Sequence, residues 1–203
     1  MRNRLLALVM ACVPAVANAQ AQESTDAQLR NDCRLATQVL TTGRPATHRA
    51  WALQVVDRCD DTGPSALARA WSGVAPTGAD VTELMVPSVR LWDQRLFSVL
   101  SSVARDRAQH ELKRVAALSV LATYAAPNSA MSLSELLDPR PDPTRAVRLT
   151  SVDHQPRTIG TQPLPGSVTD DVARLVRGLI SAEPESKVGV AASRLLRYVL
   201  VQN

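Results

Sequence analysis

Apolar residues recur at helical spacing along most of the chain. Leu29, Cys33, Ala36 and Leu40 fall at i, i+4, i+7 and i+11, and Ala52, Val55, Val56 and Cys59 at i, i+3, i+4 and i+7, so each set lines one face of a helix. Between them, Thr42-Gly43-Arg44-Pro45 stops the first helix, and Thr47 is placed to cap the second. The two predict an antiparallel helical hairpin. A short helix is expected over Pro64 to Trp71, ended by Gly73 and a turn at Pro76-Thr77-Gly78. Trp92, Leu96, Val99, Leu100 and Val103 form a further stripe. Residues 111 to 125 are apolar over a wide arc, the pattern of a buried helix, and Pro127 closes that pair. Val168, Val172, Leu175, Val176, Leu179 and Ile180 mark another helix, which breaks at Pro184 before Val188, Ala192, Leu195 and Val199.

One stretch departs from the helical period. Pro139-Arg140-Pro141-Asp142-Pro143 opens an extended segment, in which Val147 to Val152 and Arg157 to Gln162 read as two strands about Asp153-His154-Gln155-Pro156. Pro163, Pro165 and Gly166 end it. The predicted architecture is therefore all-α, a single domain over residues 20–203 of stacked antiparallel helical hairpins. At 139–166 it carries one extended loop or small β-hairpin insertion. Long ordered loops often carry function, which makes Arg145, Arg148, His154 and Arg157 the candidate partner-binding residues. The alternative for the same stretch is a proline-rich linker.

Two inner helices align without a gap. Glu111-Leu-Lys113-Arg-Val-Ala-Ala117-Leu-Ser119-Val-Leu121-Ala-Thr-Tyr124 lies over Glu185-Ser-Lys187-Val-Gly-Val-Ala191-Ala-Ser193-Arg-Leu195-Leu-Arg-Tyr198, sharing Glu, Lys, Ala, Ser, Leu and Tyr. Arg49 to Val56 can be laid over Arg114 to Leu121 in the same way. With its helix, short turn and second helix bearing an Arg/Lys-x-x-Ala-Leu or Ala-Ala core, at 94–125, 168–200 and more loosely 27–59, the chain resembles the HEAT-repeat class of α-solenoids. The resemblance implies hairpins that bury a continuous core and present an extended binding face. It implies no particular ligand and no chemistry. The Trp, Gly and Tyr spacing of tetratricopeptide repeats is absent.

The leader sets the compartment. Met1-Arg-Asn-Arg4, the apolar run Leu5 to Val16 and Ala17-Asn18-Ala19 are the parts of a signal peptide, 1–19, with cleavage before Gln20. The run is shorter than the roughly 20 residues a bilayer span requires. Cys12 lacks the Leu-Ala-Gly type of run that precedes a lipidated cysteine. The mature protein is expected in the periplasm or secreted, with no stable membrane insertion after cleavage. Removal of the leader takes Arg2 and Arg4 and no acidic residue, leaving 21 basic against 19 acidic side chains. That excess is too small for a nucleic-acid footprint. Few aromatics, little glycine and much Ala, Leu and Val favour helix over strand.

An oxidising compartment also changes how the cysteines are read. Without Cys12, Cys33 and Cys59 form an even pair, each on the apolar stripe of its helix. They lie about 9 and 12 residues from the turn between the helices, a mismatch of roughly 4 to 5 Å at 1.5 Å per residue, which tilted helices absorb. A disulfide is expected.

Candidate chemistry adds little. The chain has no Gly-x-Ser-x-Gly elbow, Ser-x-x-Lys, His-Glu-x-x-His or glycine-rich phosphate loop. His48 and His110 belong to helix starts and His154 to the turn of the excursion, none with a second metal-type ligand at i+4. Asp153 cannot easily orient the imidazole of its own neighbour. Asp170-Asp171 suit a helix N-terminus and Ser132 to Glu135 a capping box. Trp51, Trp71 and Trp92 sit in apolar helical contexts and read as core. No catalytic, cofactor-binding or metal-ligating residue is assigned. The expected function is that of a non-catalytic exported binding or scaffold protein, partnered by another protein or envelope component. A small secreted hydrolase and a structural subunit of an envelope assembly are the alternatives.

Overall fold

Glycine ends the first helix. The computed structural model, which describes residues 13–44, 46–59, 62–73, 78–126, 158–159 and 162–197, has α1 at Val13–Thr42. Gly43 then takes φ +68° while its N–H donates to the Val39 carbonyl at 2.8 Å. A Cβ is strained in that left-handed conformation, so glycine is the residue that stops the helix. α1 passes through positions 19 and 20, where cleavage is predicted.

The return helix α2, Arg49–Val55, is entered by a 3-10 turn at Ala46–His48 and prolonged by another at Val56–Arg58. Two expectations are corrected here. Thr47 does not cap α2, because the tight turn swallows it and leaves His48 at the N-cap without a side-chain bond. Cys59 is not on a helical stripe, since the chain has already left helical geometry, at φ −103° and ψ 78°.

The later helices are α3 at Gly63–Ser72, α4 at Gly78–Ser88, α5 at Gln94–Arg105 and α6 at Glu111–Ala125. After them come α7 at Val168–Ala182 and α8 at Lys187–Leu195. Asp93 caps α5, its carboxylate accepting from the Arg95 and Leu96 N–H groups at 2.7 and 3.3 Å. Trp92 accordingly precedes the helix. Ser186 caps α8 through the Gly189 N–H at 3.0 Å. α4 is the element that periodicity did not predict. Its inward residues Val81, Leu84 and Ser88 are few, and Pro87 reads as a breaker although it is accommodated in the last turn.

Each odd helix packs on the even helix that follows it. In addition α1 packs on α3 and α3 on α5, while α2 packs on α4, α4 on α6 and α6 on α8. α6 touches α4, α5, α7 and α8, and is buried from Lys113 through Ala122, which accounts for its apolar arc.

The polar groups of Trp71, Ser88 and Tyr124 are paired within the core. Trp71, fully buried, donates its indole N–H to Ser88 Oγ at 2.9 Å, and Ser88 donates onward to the Leu84 carbonyl at 2.7 Å. The Tyr124 hydroxyl lies 2.6 and 2.7 Å from the Ser88 and Leu91 carbonyls and donates to them, and burial pushes its pKa well above 10. Trp92 meets Tyr124 edge-on with ring centroids 5.4 Å apart. Trp71 and Trp92 are thus core residues as expected, while Trp51 is half-buried against the core.

The excursion is described only at its end. β1, Thr158–Ile159, pairs antiparallel with β2, Gln162–Pro163. The single strand expected over Arg157 to Gln162 is therefore corrected: Ile159 and Gln162 pair antiparallel, so the chain reverses between them. Val147 to Val152, the capping box at 132–135 and the proline run at 139–143 lie outside the described residues.

Cys33 and Cys59 are joined in a disulfide with Cα atoms 5.5 Å apart and a sequence separation of 26. The bond ties α1 to the end of the α2 segment. Cys33→Ser or Cys59→Ser is expected to lower stability by about 3 kcal/mol. The double variant should cost little more than either single, since each change breaks the same bond. Denaturant melts of the four proteins check this, and additive losses would contradict it.

Candidate partner-binding face

α2 and α4 lie side by side, and a groove of about 510 Å³ runs between them. Ala50, Leu53, Val86 and Pro87 supply its apolar lining, while Gln54, Asp57, Arg58, Glu83 and Arg90 supply its polar part. Because Val81, Leu84 and Ser88 turn inward, Val86 faces outward. It is 51% exposed, the highest value among the large apolar side chains of the described residues, ahead of Val190, Leu29 and Leu35.

A charged pair borders the groove. Arg90 reaches Asp57 at 3.0 Å, with the arginine largely in solvent and the carboxylate mostly covered. Asp57 Oδ2 takes that bond, and its Oδ1 is buried with no hydrogen-bond partner among the described residues. An unmet buried acceptor costs about 1–3 kcal/mol. The groove therefore combines apolar surface with both signs of charge, which is what a peptide segment with an apolar anchor and polar flanks can satisfy.

The other chemically suggestive groups are structural. Lys113 is fully buried, and its Nζ donates to the Gly73 carbonyl and to Gln109 Oε1, both at 2.8 Å. Burial holds its ammonium below the usual lysine value. Such a shift is also what a catalytic amine requires. Here the amine is enclosed, and it fastens the end of α3 to the start of α6. His110 caps α6, with Nδ1 accepting the Leu112 N–H at 3.2 Å. His48 sits at the start of α2, exposed, with its ring edge-on to Trp51. Among the described residues, no group of three His, Cys, Asp or Glu side chains is arranged to hold a metal ion, and no helix is long and apolar enough to cross a membrane.

Arg145, Arg148, His154 and Arg157 lie outside the described residues. Glu83, Val86, Pro87 and Arg90 escape the sequence reading because they belong to α4 and its end, an element the apolar pattern does not predict. The signal present was the spacing Glu83, Val86, Arg90 at i, i+3, i+7, one helical face that carries charge on both sides of an apolar residue. No family model matches the chain, and comparison with curated proteins and with solved structures finds no match.

Proposed function

We propose that this chain is an exported, non-catalytic binding protein that takes a segment of another envelope protein into the groove between α2 and α4. The leader and the cysteine pair support export. The helices, paired odd on even in chain order, are read as a short HEAT-like stack in which α2 and α4 contribute neighbouring faces to a recognition surface. The observation that carries the reading is Val86: an apolar side chain half in solvent, within a groove bordered by Asp57, Arg90 and Glu83. Its volume falls within the roughly 300–1,000 Å³ of small-ligand sites, room for one or two anchoring side chains. The apolar lining supplies affinity, and the charges fix which way the segment runs.

Val86→Glu tests this without touching the core. Its stability should stay within about 0.5 kcal/mol of wild type, as for an ordinary surface substitution. The partner retained by the wild-type protein from envelope extract should be lost, with affinity at least tenfold lower. Full retention of that partner by a folded Val86→Glu protein would contradict the assignment.

A further inference from the structure

A second hollow, of about 420 Å³, lies beside the disulfide and is lined differently from the groove. Arg30 and Arg34 line it from α1, Arg58 lines both it and the groove, and among the described residues no acidic side chain lines it. Arg34 donates to the Asn31 side chain at 3.1 Å, whereas Arg30 and Arg58 make no ion pair or hydrogen bond among the described residues. Asp32, close by on α1, already accepts from the Gln28 amide. Thr37 also lines the hollow.

Three cations around one depression repel one another unless an anion sits among them. A carboxylate has two oxygens and is satisfied by one guanidinium fork. Three forks match the three terminal oxygens of a phosphoryl group and exceed its charge of about −2. We propose that the hollow beside the disulfide binds a phosphoryl group through Arg30, Arg34 and Arg58, with Leu29 giving the carrier an apolar wall. The disulfide is part of the construction. Arg34 follows Cys33 and Arg58 precedes Cys59, so the bond sets the distance between the two arginine-bearing segments.

Titration calorimetry of the oxidised protein with inorganic phosphate tests one source of the ligand. Flotation with phosphatidylcholine vesicles, with and without phosphatidic acid, tests the other. Saturable binding to phosphate, or flotation that requires phosphatidic acid, is expected, and whichever is seen identifies the source. Arg30→Gln/Arg34→Gln, which leaves the α2–α4 groove intact, should weaken it at least tenfold. Arg69→Gln, an exposed arginine on α3, should leave it unchanged. Thermal melts establish that both variants are folded. Absence of both binding modes would overturn the proposal. So would binding that survives in the folded Arg30/Arg34 variant, or that falls equally in Arg69→Gln, since either marks attraction by general positive charge.

Discussion

Arg114→Met is expected to lower stability by about 3–5 kcal/mol, the cost of removing one partner from a buried ion pair. The Arg114 side chain is 4% exposed and that of Glu183 12%. Arg114 forks onto both Glu183 oxygens, with Nη1 to Oε2 at 3.0 Å, and Nε donates to the Ala104 carbonyl at 3.0 Å. One guanidinium thereby joins the end of α5, the middle of the domain and the α7–α8 turn. Loss of the cation strands a covered carboxylate and an α5 carbonyl together. The pH dependence separates this mechanism from simple loss of packing. Hydrogen bonds from Arg114 hold the Glu183 carboxyl below its usual value of 4.5. A lowered folded-state value means that the contribution is present above pH 4.5 and is lost as pH falls through the folded value. The gap between wild type and Arg114→Met should thus be widest near neutrality and shrink on acidification, as urea melts across pH 3 to 7 would show. A gap independent of pH would mean that packing alone is at stake.

Gly189→Ala is expected to cost about 3 kcal/mol or more, far above the gain that alanine usually brings to a helix. A Cβ at position 189 would collide with the Glu183 carbonyl oxygen, come within 2.8 Å of its carbon and lie 3.1 Å from Pro184 Cα. All three are backbone atoms, so no side chain can swing aside. Glu183 is also the residue that Arg114 holds, and its carbonyl accepts from Ser186 Oγ at 3.0 Å. Relief by moving the turn would therefore disturb the ion pair. Thermal melts with near-wild-type stability for Gly189→Ala would show that the turn is softer than its packing implies.

These two sites also mark how far the sequence could be read. α6, α7 and the start of α8 are legible because their apolar stripes are long, and the short α3 because Pro64 and Gly73 bracket it. Within the aligned pair α6 and α8, Val115 of one corresponds to Gly189 of the other, a substitution that follows from the tight α7–α8 turn and from nothing local. The aligned lysines differ in the same way. Lys113 is enclosed by the four helices around α6, while Lys187 is 72% exposed and reaches Glu111 at 3.3 Å. Register alone aligned the two helices, but the number of neighbours determined burial. α4 failed for the opposite reason, since its short stripe ends in a proline that the last helical turn tolerates. The groove depends on that helix, so the face argued for binding could not be found from periodicity.

The central claim is that a partner segment lies in the α2–α4 groove. A photo-activated cross-linking residue placed at Val86, and separately at Val190 and Arg148, in the protein within the cells that produce it tests that claim most directly. Position 86 should give a discrete adduct with one envelope protein, and Val190, an exposed apolar residue on α8, should give none. An adduct formed from position 148 or 190 but not from position 86 would contradict the claim.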